Sequence, residues 1–127
     1  IFLEKTGLTE LKDHIAGSLS IGNLKRLEVA RALATEPILL LMDEPMGGLT
    51  PSEVDQAIEL IRAINKEGVS IVIIEHIMKA IMAVSDSIVV LQNGELISKG
   101  KPEEVVKDEN VIKAYLGEEY VKSEAIK

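Results

Sequence analysis

Ile38-Leu39-Leu40-Leu41-Met42-Asp43-Glu44-Pro45 is the stretch on which the reading of this chain turns. Five apolar residues run without a break into two acids and a proline. So short and continuous an apolar run predicts a strand buried on both faces, as in a parallel sheet. Pro45 ends it, because proline cannot donate the next ladder hydrogen bond. Asp43 and Glu44 then fall at the carboxyl edge of the sheet, where open α/β sheets bind their ligands. Adjacent carboxylates at that edge suit two jobs. One can hold Mg²⁺, a hard cation that takes oxygen ligands and keeps several waters. The other can polarise an attacking water. The same residues also fit a plain strand that ends in an acidic turn, so the neighbouring sequence has to discriminate.

Downstream, Met46-Gly47-Gly48-Leu49-Thr50 reads as a flexible loop, and Thr50-Pro51-Ser52-Glu53 as a helix start. Thr50 is placed to cap, Pro51 sits at the first helical position, and Glu53 completes a capping box. Val54, Ala57, Ile58, Ile61 and Ile64 recur at helical spacing, and Gly68 supplies the stop. Val69–Ile74 is a second β-branched apolar run, so strand, helix, parallel strand with a right-handed crossover is the expected topology. Glu75 and His76 fall at the carboxyl end of that second strand.

Upstream, Leu24, Leu27, Ala30, Arg31 and Leu33 mark another helix, which Pro37 closes. Ser20 stands at its N-cap, and Gly22 allows close approach of a ligand to the backbone. A hydroxyl and free amides at a helix N-terminus favour an anion, although most such ends only cap a helix. Residues 1–18 read as two short helices or turns around Gly7 and Gly17, with His14 on the surface. Beyond His76 the expected order is a short helix to about Ser85, a strand over Ser87–Gln92, and a hairpin turn at Asn93-Gly94 into Glu95–Ser98. Helices at Pro102 and Val111–Leu116 follow, the last closed by Gly117. Gly94–Pro102 superficially resembles a phosphate-binding P-loop. It has five residues between its glycines where four are needed, and Pro102 in place of Ser or Thr. No other glycine run qualifies.

Composition narrows the function classes. A length of 127 residues allows one modest core. The net charge of −7 and the scarcity of aromatics (Phe2, Tyr115 and Tyr120) argue against nucleic-acid binding, which needs cationic neutralisation and stacking platforms. The absence of cysteine removes disulfides and thiolate metal sites and fits a cytosolic protein. No apolar run reaches the roughly 18 residues needed to span a bilayer, and no signal peptide is visible. A chain that opens on Ile1 instead of methionine is expected to be a piece of something longer.

In order, these pieces resemble the C-terminal half of an ATP-binding cassette (ABC) nucleotide-binding domain. Leu19-Ser20-Ile21-Gly22-Asn23 looks like the signature motif, usually LSGGQ, followed by an Arg26…Ala30-Arg31-Ala32-Leu33 helix. Ile38–Glu44 looks like the Walker B strand, Met46–Thr50 occupies the D-loop position, and His76 stands where the switch histidine belongs. The segments Arg26–Pro37, Ile74-Glu75-His76, Val111–Gly117 and Thr6-Gly7-Leu8 look like the ATPase subunits of branched-chain amino acid importers. The resemblance covers about residues 3–120.

The implied fold is α/β: a partial P-loop NTPase sheet of largely parallel strands with flanking helices and a C-terminal hairpin. Residues 1–35 would be the end of a helical subdomain, 36–117 the C-terminal part of the ATPase core, and 118–127 a charged, frayed tail. The implied cofactors are ATP and Mg²⁺. Asp43 would hold Mg²⁺ through water, Glu44 would act as general base or orient water, and His76 would bond the γ-phosphate. Ser20, Ile21, Gly22 and Asn23 would face ATP bound to an opposite subunit, and Gly48, Leu49 and Thr50 would couple the two sites. The implied partners are a second nucleotide-binding subunit, in a homo- or heterodimer, and transmembrane permease subunits, with no nucleic acid. That places the protein in the cytoplasm, on the inner face of the membrane.

Three positions depart from the pattern: Ile21 replaces the first signature glycine, Asn23 the usual Gln or Glu, and Thr50 a common D-loop Asp. The Walker A loop, the Q-loop and the adenine-stacking aromatic would lie upstream of Ile1, so the chain is not expected to bind or hydrolyse ATP alone. The alternative is a non-catalytic truncated domain that self-associates through an unpaired strand edge and an uncovered apolar face, or acts only with an intact partner.

Overall fold

A computed structural model describes residues 1–116, which leaves Gly117 and the charged tail outside the described residues. The described residues divide into two compact units, Ile1–Ala80 and the residues from Ile81 onward.

The first unit begins with a short helix, α1 (Phe2–Lys5), and two 3₁₀ turns, Thr9–Leu11 and Ala16–Ser18. Helix α2 (Ile21–Leu33) follows, starting directly after the N-cap expected from sequence. Ser20 sets that start. Its side chain accepts the Asn23 N–H at 3.3 Å, which draws Ile21, Gly22 and Asn23 into the first helical turn. Strand β1 (Leu39–Asp43) comes next, then α3 (Pro51–Lys66), β2 (Ser70–Ile74) and α4 (Met78–Val84), which runs past the end of this unit at Ala80. The capping box at α3 is formed: Thr50 accepts the Glu53 N–H, and the Glu53 carboxylate accepts the Thr50 N–H at 2.8 Å. Val54, Ile58, Ile61 and Ile64 are buried, and Gly68 leaves the helix at φ +98°.

β1 and β2 pair in parallel, with Leu40 opposite Ile71 and Asp43 opposite Ile74. The Glu44 N–H extends the ladder by one bond, to the Ile74 carbonyl at 2.8 Å. One face of this sheet is covered. Leu40 and Met42 are buried there, and Met42 lines a small space together with Val29 of α2 and Ala57 and Ile61 of α3. The expectation of burial on both faces is not met among the described residues. Leu39, Leu41, Val72 and Ile74 point the other way and are exposed. A crossover helix covers one face of a βαβ unit, and no element of this unit lies over the second. The alternation of a half-covered sheet is thus written in a sequence that is apolar on both sides.

The second unit holds an antiparallel hairpin, β3 (Ile88–Gln92) and β4 (Glu95–Gly100). Asn93 and Gly94 both take positive φ, +51° and +81°, as a two-residue turn matched to strand twist requires. Pairing continues to Gly100, two residues past the expected Ser98, through a register shift between Val90 and Leu91. Two short helices, α5 (Pro102–Val105) and α6 (Glu109–Val111), then pack buried Val105 and Val111 near β4. Where Val111–Leu116 reads as a helix in sequence, the chain takes one π-type turn, Ile112–Leu116. The Tyr115 hydroxyl donates to the Leu91 carbonyl across this unit.

Candidate functional site

Because β1 and β2 run parallel, their carboxyl ends lie on one edge. Asp43 ends β1, Glu44 follows it, and Glu75 and His76 continue directly from β2. The expected meeting of acid and imidazole is present: His76 Nδ1 lies 3.7 Å from Glu44 Oε1, with both side chains exposed. Glu44 holds an unusual backbone conformation for a non-glycine residue, φ +45°. The residues after it turn back at once, with the Gly47 N–H donating to the Glu44 carbonyl at 3.1 Å. Glu75, given no role from sequence, ties the two strand ends together. Its Oε1 accepts the Met46 N–H at 2.8 Å and its Oε2 accepts the His76 N–H at 3.2 Å.

A second cluster forms where the start of α2 meets the loop before α3. A side chain at Gly48 would come within 3.7 Å of Ile21 Cγ2, so the two motifs are in van der Waals reach. Gly22 is buried, and a Cβ there would lie 2.4 Å from Glu53 Oε1. That carboxylate is held by Thr50, whose hydroxyl also donates to Glu53 Oε2 at 2.9 Å. The Thr50 backbone and side-chain hydrogen bonds, helped by Arg26, hold the Glu53 carboxyl below its ordinary range. Arg26 itself donates to Gln56 of α3. Ser20, Ile21, Gly22, Asn23, Gly48, Leu49 and Thr50 are therefore brought into one neighbourhood. The space between α2 and α3 measures about 30 Å³, far below the few hundred Å³ of a small-molecule pocket.

Two family models match the chain: the family described as "ABC transporter" over residues 1–47, and "Branched-chain amino acid ATP-binding cassette transporter" over residues 95–121. Together they take in more than half of it. The high-affinity branched-chain amino acid transport ATP-binding protein BraF of Pseudomonas aeruginosa is 44% identical over 118 residues, covering 92% of this chain and 46% of that protein. Its counterpart LivG of Escherichia coli is 42% identical with the same coverage. Among solved structures, the ADP conformation of MJ1267, an ATP-binding cassette of an ABC transporter, superposes with a TM-score of 0.83 at 33% identity. That match covers 92% of this chain and 48% of the other.

The chain resembles ATP-binding cassette proteins over nearly its whole length.

It spans about half the length of the curated relatives it matches. The fold expectation holds in that light, since the solved neighbours are cassette ATPase domains and β1–β2 is a parallel pair. Cassette proteins bind ATP with Mg²⁺, and the residues present fit part of that task. Among the described residues no three His, Asp or Glu side chains converge to hold a metal by themselves. Mg²⁺ asks for no such cage, because it binds through one or two carboxylates together with phosphates and water. Exposed Asp43 at the strand edge matches that demand. No helix among the described residues is long and apolar enough to cross a membrane.

Sequence reading missed two contacts at this edge. Glu75 gave no signal, because nothing in the linear order says that its carboxylate meets the Met46 amide 29 residues earlier. Lys79 at the start of α4 pairs with Asp55 of α3 at 2.5 Å, and only the folded chain brings those helices together.

Proposed function

We propose that this chain supplies the hydrolytic carboxylate, the switch histidine and the signature surface of a transport ATPase that powers branched-chain amino acid import. The observation that carries the reading is the 3.7 Å approach of His76 Nδ1 to Glu44 Oε1 at one edge of a parallel strand pair. In this reading Asp43 would hold Mg²⁺ through water, and the bound ion would supply neutralisation of phosphate charge. Glu44 orients the attacking water and draws off its proton. His76, alongside Glu44, bonds the γ-phosphate and registers its departure. Ser20, Ile21, Gly22 and Asn23 present a capped helix N-terminus to a nucleotide on a second subunit, where amide donors and the helix dipole favour phosphate. Gly48, which stands against Ile21, relays between the two sites together with Leu49 and Thr50. Hydrolysis then depends on closure of two subunits beneath a permease on the cytoplasmic side of a membrane. Residues 1–35 belong to the helical subdomain and 36–117 to the ATPase core.

The test is ATP binding and turnover by the chain alone and with a polypeptide that carries a Walker A loop. The expected result is neither activity alone and both in the assembly, with Glu44→Gln abolishing turnover while binding persists. Tight ATP binding by the chain alone, or full turnover by Glu44→Gln, refutes the reading. The exposed row Leu39, Leu41, Val72 and Ile74 favours one alternative, a non-catalytic chain that self-associates through that face. Concentration-dependent dimers that persist when the Walker A polypeptide is present, without turnover, would establish it.

A further inference from the structure

We propose that Glu75 is a positioning residue that sets the geometry of Glu44 and His76 through two backbone amides. The inference rests on the hydrolytic roles proposed for those two residues. It starts from a shortage of donors. Glu44 must be held at φ +45°, a region that L-residues other than Gly, Asn and Asp seldom occupy. Its own N–H is committed to the Ile74 carbonyl at 2.8 Å. The following residue, Pro45, has no N–H to offer. The first donor on the far side of Glu44 is therefore the Met46 N–H, and the Glu75 carboxylate accepts it at 2.8 Å. Met46 is itself fully buried, so this amide has no water to turn to and its bond is costly to lose.

The same carboxylate accepts the His76 N–H with its other oxygen at 3.2 Å. One half-buried side chain thus joins the backbone beyond Glu44 to the backbone of His76, the two residues whose side chains approach at 3.7 Å. An ionised carboxylate suits this place because both of its oxygens accept, and such charge-assisted bonds are stronger than neutral ones. Glutamine can accept with one oxygen only. Aspartate is a methylene shorter. The side chain bonds to the protein backbone and is assigned no contact with nucleotide, so its removal acts on turnover far more than on substrate binding.

The experiment measures MgATP hydrolysis by the chain in its assembly with a Walker A-bearing polypeptide, comparing wild type, Glu75→Gln and Glu75→Ala, with Glu44→Gln as control. A misplacement near 1 Å costs on the order of 100-fold in rate, so Glu75→Ala is expected to lower kcat by about 10- to 100-fold. KM for MgATP should stay within about twofold, and Glu75→Gln should fall between Glu75→Ala and wild type, because it keeps one bond of two. Hydrogen exchange supplies a readout independent of turnover: the Met46 amide should lose protection in Glu75→Ala. If Glu75→Ala does not fold, Glu75→Gln decides, and an unchanged kcat there overturns the proposal. An unchanged kcat in Glu75→Ala, or a KM that rises as much as kcat falls, overturns it as well. The two failures are distinguishable. Turnover by Glu44→Gln removes the hydrolytic reading itself, whereas a silent Glu44→Gln with fully active Glu75 variants removes only the positioning role.

Discussion

Leu40 and Leu41 are adjacent, chemically identical and indistinguishable in the apolar run that they share, yet Leu40 is 7% exposed and Leu41 71% exposed. Replacing each in turn by alanine removes the same three carbons, so the difference in cost reports the packing of the sheet. For Leu40 nearly the whole transfer free energy is lost and a cavity is left beside Met42, which places the cost at about 2–5 kcal/mol. For Leu41 the full transfer term of three methylene equivalents is about 2.4 kcal/mol, and at that exposure only about 0.7 kcal/mol of it is realised. With a urea slope near 1.5 kcal/mol/M, Leu40→Ala should lower the unfolding midpoint by more than about 1.3 M and Leu41→Ala by about 0.5 M. The assay is equilibrium urea unfolding of the chain followed by far-ultraviolet circular dichroism, with m compared across the three proteins. Equal losses for the two variants would mean that the Leu41 face is covered after all, and the description of a half-covered sheet would be wrong. Once a polypeptide seats on that face, the Leu41→Ala penalty should rise towards that of Leu40→Ala.

Ser20→Ala removes the acceptor for the Asn23 N–H and should cost about 1 kcal/mol, read in the same urea assay. Gly48→Ala should cost about 1–2 kcal/mol, because Gly48 sits at φ +78° while its Cβ would meet only an ordinary contact at Ile21. Gly17→Ala, with nothing within 4 Å and no positive φ, is the neutral comparison. The hydrogen bonds from Thr50 lower the Glu53 carboxyl in the folded state, so their stabilisation is present above the unfolded carboxylate pKa and is lost as pH falls through the lower folded value. Glu53→Gln should therefore destabilise the chain at neutral pH, with the gap to wild type closing in acid when unfolding midpoints are compared across pH.

Local chemistry wrote much of this protein into its linear order. Thr50-Pro51-Ser52-Glu53 starts a helix wherever it is placed, because cap and reciprocal acceptor lie within one turn. Asn93-Gly94 folds a hairpin because both residues accept positive φ. Pro45 ends β1 because it lacks a donor, and that alone put Asp43 and Glu44 at a strand end. That Gly48 stands against Ile21 was not legible in the linear order.

Tertiary structure alone decided which face of the β1–β2 pair is covered, since five consecutive apolar residues carry no period from which to tell inside from outside. It alone stretched β4 to Gly100 through a register shift, and turned Ile112–Leu116 into a single wide turn. The bond from Met46 to Glu75 belongs to the same class. Residues 29 positions apart meet only after two strands align in parallel with Asp43 opposite Ile74, and that register is set by burying Leu40, Met42 and the apolar stripe of α3 together. Capping and turn chemistry act over a few residues and can be read from a few letters. Burial and long-range pairing are properties of the whole packed chain, and exist only once it has folded.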